Sequence, residues 1–596
     1  MFQSFDETAR PEQGPPRLEA LRGEMAREGY AGFLVPRADA YQGEYVAPRD
    51  ERLSWLTGFT GSAGFCAVLA DRAGVFVDGR YRTQVKLQVA DVFSPVAWPE
   101  TQLAEWLLQH LPEGGQVAYD PWLHTGGQIR QLRQDLNGSG IELVQTDNLV
   151  DRIWSDQPAP PTHPAKAHPV ELAGESTSNK IARLAEDLLL EQRQAALITQ
   201  PDSIMWLLNI RGGDIPRNPL AHGFAILRAS GEVDLFMDAS KLAGLGNHLG
   251  PDITQHDPDQ LLPMLEMLEG PVQVDLASVP QKLLDRLGKK AVAGSDPCAL
   301  PKARKTAAEI HGTAEAHLRD GAAVVELLAW LDDHPPGSLT EIDVVQRLEQ
   351  ERSRTGELKD ISFDTIAGTG PNGAIMHYRV TNSSNATLED GHLLVLDSGG
   401  QYLDGTTDIT RTVAIGTPGQ EESAAFTRVL QGMIAMSMLR WPEGLAGRDI
   451  EAVGRMPLWL AGQDFNHGLG HGVGAYLCVH EGPQRLSKLS TVPLEEGMIL
   501  SNEPGYYREG AFGIRIENLL VVEPAPSLES ADPERSMLAW RTLTYAPIDR
   551  RLIVAEMMSD AERGWLNRYH ADVATKIGPR VGTQTKLWLD AATAPI

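Results

Sequence analysis

The chain has 596 residues, 42% of them hydrophobic and 22% charged, a globular composition with length for three or four domains. Lys and Arg number 53 against 80 Asp and Glu, a formal net charge of −27. So acidic a chain lacks the basic surface that phosphate backbones and anionic lipids require, so neither nucleic acid nor a membrane is an expected partner.

The opening residues, Met1 to Glu7, are polar and acidic, without the basic and apolar segments of a secretory signal. No apolar stretch has the length to span a bilayer. Cys66, Cys298 and Cys478 are far apart and make no CxxC pair or disulfide framework, which fits a reducing compartment. These features point to the cytoplasm.

An amphipathic pattern at Leu18-Glu19-Ala20-Leu21-Arg22 predicts a helix. After it come Trp55-Leu56, an apolar run from Gly64 to Leu69, and Val75-Phe76-Val77-Asp78. The stretch Pro158 to Pro164 cannot continue a helix or a central strand and reads as a linker. Beyond it the same order returns: a helical pattern at Ile181 to Ala185, Trp206-Leu207, an apolar run from His222 to Leu227, and Asp234 to Asp238. The tryptophans are 206 − 55 = 151 residues apart and the closing aspartates 238 − 78 = 160, so the second copy carries a short insertion, assigned to Ile210 to Pro216. Alternating helices and strands predict two tandem α/β units.

A boundary is expected near Asp296-Pro297. Thr306 is an N-cap candidate with Glu309 in the first turn, and the helix it opens should run to Val324 through Leu331. Gly368 to Gly373 satisfies the pattern GxGxxG. A dinucleotide fingerprint must open a helix after a strand. Here Ala374 to Tyr378 reads as extended chain and Pro371 interrupts the loop, so the glycines are expected to let the chain approach a site together with His377.

The last third holds five potential metal ligands. Asp397 ends the apolar run Leu393-Leu394-Val395-Leu396, Gly399-Gly400 can turn the chain, and Asp408 sits 11 positions later in a β-branched segment that reads as the other arm of a hairpin. His471 lies in the glycine-rich segment His467 to Gly474, as backbone crowding a site requires. Glu503 follows an apolar run, and Glu517 lies in the β-like segment Gly513 to Asn518. Acids embedded in apolar runs are costly to bury unless paired or metal-bound. Four carboxylates and an imidazole suit hard or borderline divalent ions, and two such ions would both neutralise the set and supply hydroxide at neutral pH.

These segments resemble the pita-bread metallopeptidase family, and within it the long, three-domain cytosolic form of aminopeptidase P, over almost the whole chain; Pro301-Lys302-Ala303 and Ala314 to Gly321 belong to the match. The resemblance implies two tandem creatinase-N-like α/β domains (1–157 and 165–297), a pita-bread α+β catalytic domain (301–531) and a C-terminal extension (532–596). It implies two metal ions, manganese first with zinc or cobalt as alternatives, held by Asp397, Asp408, His471, Glu503 and Glu517. It adds His377, His467 and His480 as catalytic and substrate-contacting histidines. The C-terminal segment from Met557 to His570 is associated with dimers in that form, so a homodimer is expected; a helical cap over the catalytic domain is the alternative.

The implied reaction is hydrolysis of the first peptide bond of peptides whose second residue is proline. Glu503 would serve as ligand and proton shuttle, His377 and His480 would hydrogen-bond the substrate, and His467 would shape the proline side. Arg515, two residues before Glu517, would pair with Asp397, unless it is simply solvated. Asp404, beside Gly405, is read as a solvated turn residue outside the site. Cys478 is the weaker candidate for a nucleophile. The rivals are a prolidase cleaving Xaa-Pro dipeptides, a methionine aminopeptidase, which the roughly 300 residues before the catalytic region disfavour, and a metal-free binding protein on the same fold. A dipeptidase needs a cation for the free carboxylate after proline; Arg379, Arg411 and Arg515 are the nearby bases, each with a structural reading as good.

Overall fold

In the computed structural model, which describes residues 1–529 and 531–596, the chain divides into two units. One comprises Glu7–Pro169 with Glu175–Ala299. It is built on two six-stranded sheets. Across the first, the strands run Ser94–Ala97, Ala73–Val77, Phe65–Leu69, Gly32–Pro36, Gly115–Tyr119 and Ile141–Gln145. Across the second they run Ile253–His256, Val233–Phe236, Phe224–Arg228, Ala195–Ile198, Val272–Val274 and Ala291–Ala293. Each sheet joins three strands antiparallel at its centre and adds parallel strands at both edges. One order and one set of directions, found twice, make the two segments copies of one topology. The insertion lies where the spacing placed it. Residues 58–64 link the helix Arg52–Thr57 to its strand in the first copy, and the longer 208–223 link Pro201–Leu207 to its strand in the second.

The other unit comprises Met1–Asp6, Val170–Gly174 and Leu300–Ile596. Its long helix, Ala307–Asp332, starts on a capping box in which Thr306 and Glu309 satisfy each other's exposed backbone N–H groups. The strand Leu393–Ser398 lies between Ile366–Thr369 and Ile409–Ala414, antiparallel to both. Its side chains alternate. Leu394 and Leu396 join Val324, Leu327, Val344 and Leu348 of two helices in one core, while Leu393 joins the core of the opposite face. Asp397 shares the Leu393 face. A second sheet of six strands carries Gly470–Gly472 beside Ile499–Asn502, which pairs with Asn518–Pro524. The helix Asp560–Ile577 contributes Leu566, Tyr569 and Val573 to the core that also holds Phe426, Leu500 and Ile516. Among the described residues, no helix is long and apolar enough to cross a membrane.

Three local expectations change. Asp408 stands one residue before its strand, and the chain between the two aspartates makes its own small hairpin, Gly400–Tyr402 with Gly405–Thr406. Gly399 and Gly400 are not the turn. A Cβ on Gly399 would lie 1.9 Å from the Thr407 carbonyl oxygen, so the glycine is there for close packing of backbone. Residues Gly370–Ala374 form a 3₁₀ turn rather than leading into extended chain, because Glu341 gathers the loop: its carboxylate accepts from Thr369 N, Asn372 Nδ2, Tyr378 OH and Ala386 N. No α-helix opens there, so the dinucleotide reading stays excluded.

Candidate metal centre

Five separate strands bring the five acidic and imidazole side chains together. Asp397 comes from the end of Leu393–Ser398 and Asp408 from the start of Ile409–Ala414. His471 lies within Gly470–Gly472, Glu503 just past Ile499–Asn502, and Glu517 just before Asn518–Pro524. Backbone packing sets their approach. A Cβ on Gly470 would sit 1.9 Å from the Ser501 carbonyl oxygen, so only glycine lets the strands carrying His471 and Glu503 lie so close. Ser501 ties the two residues together, its hydroxyl accepting from His471 N (2.9 Å) and donating to Glu503 Oε1 (3.1 Å).

Donor atoms of Asp408, His471 and Glu517 lie within 4.8 Å of one another. His471 Nε2 is 3.5 Å from Asp408 Oδ2 and 3.4 Å from Glu503 Oε1. The other ring nitrogen, Nδ1, is 3.0 Å from the Gly472 carbonyl, which can only accept, so Nδ1 carries a proton. With Nδ1 turned to that carbonyl, His471 points Nε2 at two carboxylates, the position from which an imidazole would ligate a cation shared with them. Two buried oxygens, Asp397 Oδ1 and Glu517 Oε1, have no hydrogen-bond donor, although their partner oxygens are held by Arg515 (2.6 Å) and Thr410 (2.8 Å). Oriented carboxylates with orphaned oxygens fit divalent cations.

The electrostatics agree. Burial first, then the charges of Asp397 and Glu503, pushes the Asp408 carboxyl well above the usual range. Burial and the neighbouring Asp408 and Asp397 do the same to Glu517. Burial and Glu517 raise Glu503 to about 7. Without cations the cluster holds protons instead.

The histidines fall around this set. The His480 ring stands edge-on to His471, with centroids 4.3 Å apart. His467 Nδ1 lies 4.0 Å from Glu503 Oε2 and 2.7 Å from the Gly468 carbonyl. His377 sits in a turn whose preceding carbonyl, Met376 O, accepts from Arg515 Nη2 at 3.2 Å. Arg515 is 3% exposed and paired to Asp397, which removes the solvated alternative. Sequence reasoning missed Tyr507. Its hydroxyl accepts from Arg515 Nη1 (2.6 Å) and lies 3.0 Å from His467 Nε2, linking that histidine through Arg515 to Asp397. One tyrosine four positions after Glu503 carries no signal that would single it out.

Other expectations are corrected or narrowed. Asp404 is not a solvated turn residue, because Arg319 of the long helix grips both its oxygens at 2.6 and 2.7 Å. Of the three bases weighed as a carboxylate clamp, Arg411 is spent on Glu517 O, Asn518 Oδ1 and Tyr569 OH, and Arg379 on Asp364 and the Ser4 and Asp6 carbonyls. Arg515 is committed as described.

A sheet-borne cluster of carboxylates and an imidazole is suited to divalent cations, and the whole chain can be compared with known proteins. The profile of metallopeptidase family M24 matches residues 311–524, that of the C-terminal region of peptidase M24 matches 536–596, and the creatinase/prolidase N-terminal domain matches twice, at 17–153 and 156–309. A probable Xaa-Pro aminopeptidase P of Aspergillus niger is 36% identical over 608 residues, covering 97% of this chain and 98% of that one. Aminopeptidase P2 of Arabidopsis thaliana is 37% identical over 632 residues, covering 97% and 88%. The crystal structure of an X-prolyl aminopeptidase from Caenorhabditis elegans, described as a cytosolic enzyme with a di-nuclear active site, superposes with a TM-score of 0.93 at 31% identity, over 98% of this chain and 100% of that one. An Xaa-Pro dipeptidase from Bacillus anthracis shares the fold over 63% of this chain and 99% of its own, with a TM-score of 0.51 and 24% identity. The chain belongs to metallopeptidase family M24, in the full-length Xaa-Pro aminopeptidase P branch that its relatives represent.

Proposed function

We propose that the protein is a metal-dependent Xaa-Pro aminopeptidase that removes the first residue from peptides with proline second, using two divalent ions. The observation that carries this reading is the convergence of Asp397, Asp408, His471, Glu503 and Glu517, with the buried Asp397 Oδ1 and Glu517 Oε1 lacking donors, in a chain similar along its length to such enzymes. These five residues would hold the ions, and manganese is the proposed metal; the donor set also accommodates zinc or cobalt. When bound, the ions would make water nucleophilic near neutral pH and polarise the scissile carbonyl.

The remaining steps fall to side chains. Glu503 takes the proton of the attacking water and returns it to the leaving nitrogen, and Ser501 orients it for this. Arg515 fixes Asp397 from behind with a charge-assisted bond. His377 and His480 donate to the substrate where charge develops. His467, held by Tyr507, borders the proline ring. An imide nitrogen after the scissile carbonyl has no N–H, so a pocket that offers no acceptor there selects proline.

The proposed domains are 1–157, 165–297, 301–531 and 532–596, supported by the doubled sheet topology and by four profile matches in that order. We assign a homodimer and a cytoplasmic location. The first is supported by apolar side chains left bare at one helix end, Met456 (51% exposed), Trp459 (43%) and Leu460 (83%). The second is supported by the relative described as cytosolic.

The alternative, a prolidase, is separated by kinetics on Arg-Pro-Pro, Arg-Pro and Arg-Ala-Pro. We expect the highest kcat/KM on Arg-Pro-Pro, because Arg379, Arg411 and Arg515 are all engaged and none is spare to clamp a carboxylate after proline. A clear preference for Arg-Pro would make the protein a dipeptidase, and fast cleavage of Arg-Ala-Pro would remove proline specificity.

A further inference from the structure

Behind the sheet that presents Asp397 and Asp408 lies a buried polar network whose members are all shielded from solvent. Asp320 of the long helix Ala307–Asp332 and Arg352 of the helix Glu341–Ser353 form a two-point ion pair, Nε to Oδ1 at 2.6 Å and Nη2 to Oδ2 at 3.1 Å. Arg352 Nη2 also donates to the Ser398 hydroxyl at 3.0 Å. The Thr407 hydroxyl donates to Asp320 Oδ2, and Tyr402 OH donates to Oδ1 at 3.0 Å. Asp320, Arg352, Ser398, Tyr402 and Thr407 are all at 0% exposure.

Sequence neighbours give the network its meaning. Ser398 follows Asp397 and points to the opposite face of the same strand. Thr407 precedes Asp408. The pair thus reaches from the residue beside one proposed ligand to the residue beside the other. The hairpin between the two aspartates is anchored on the same helix, by Arg319 on Asp404 and by Gly405 packing on Thr313.

A buried ion pair is poor support for stability as such, since well-packed apolar residues often do as well or better. Here it is spent where two like-charged carboxylates must be held at one separation. We infer that the Asp320–Arg352 pair is a positioning element that fixes the spacing of Asp397 and Asp408 and thereby the affinity for the metal pair. This rests on the reading of those two aspartates as ligands.

The test uses the full chain, stripped with chelator and titrated with Mn²⁺, with bound metal counted by elemental analysis and Tm measured in both forms. Asp320→Asn should weaken Mn²⁺ binding roughly 10- to 100-fold, as for other residues that orient ligands, and shrink the Mn²⁺-dependent rise in Tm. The double variant Asp320→Leu with Arg352→Met should recover metal-free Tm towards wild type and still bind Mn²⁺ weakly. Ser398→Ala, which removes one hydroxyl and keeps the charges, should weaken binding in the same direction and decides the matter if the other two fail to fold. Wild-type Mn²⁺ affinity in Ser398→Ala, or in Asp320→Asn with only the metal-free Tm lowered, would reduce the network to ordinary structure. Asp408→Asn is the control: if it binds two Mn²⁺ like wild type, the ligand assignment itself has failed.

Discussion

Asp404 and Asp408 are four positions apart and look alike in sequence, yet they answer to different partners. Asp404 is gripped by Arg319, whereas Asp408 faces His471, and burial, then the charges of Asp397 and Glu503, push its carboxyl up. Asp408→Asn should abolish two-metal binding and turnover. Asp404→Asn should keep most turnover and lose about 1 kcal/mol or less, as for a partly exposed pair; denaturant midpoints and initial rates measure both, and equal losses of activity would show that Asp404 supports the site. The raised carboxyls also set a pH dependence. Asp408, Glu517 and Glu503 hold protons in the folded, metal-free chain that the unfolded chain releases. Stability from this cluster therefore falls as pH rises from about 4.5 through 7. His124 and His570, held down to about 4 by burial, work the other way: the unfolded chain binds their protons between about 4 and 6.5, so they add stability as pH rises through that window. Those histidines are common to both forms, so the difference in Tm between Mn²⁺-loaded and stripped protein isolates the site. It should widen from pH 5.5 to 8, and a constant difference would contradict the cluster's role.

At the scale of elements, the sequence carried the strands because burial on both faces leaves an apolar run that ends in a functional acid. Leu393 to Asp397 is such a case, as are the capping box at Thr306 and the doubled order of helix and strands in the first half. It carried the five ligand candidates for the same reason. What it could not carry were contacts between residues far apart in the chain. Tyr507 joins His467 to Arg515 across 40 and 8 positions, and Arg352 meets Asp320 across 32. Glycines are legible as signs of crowding, though not of its geometry; Gly399 reads as a turn residue in sequence and serves instead as a gap for the Thr407 carbonyl. Gly470 tests that point. Gly470→Ala should drive the strand of His471 away from that of Glu503, cutting Mn²⁺ affinity while both ligands remain. Wild-type affinity by Mn²⁺ titration would show that the close approach is not needed.

In the whole molecule a doubled α/β half precedes a metallopeptidase half whose helix Asp560–Ile577 shares its core and reaches Arg411 through Tyr569. The proposed dimer predicts that Trp459→Glu shifts sedimentation to a single chain, and an unchanged profile would place any dimer contact elsewhere. The central claim is that a pair of divalent ions on five named residues drives release of the residue before proline. Its most direct measurement is Mn²⁺ titration of stripped protein, with arginine release from Arg-Pro-Pro followed at each step. Activity should rise from near zero to a plateau at two equivalents, and Asp408→Asn should stay flat throughout. Full activity in protein shown by elemental analysis to be metal-free would contradict the account.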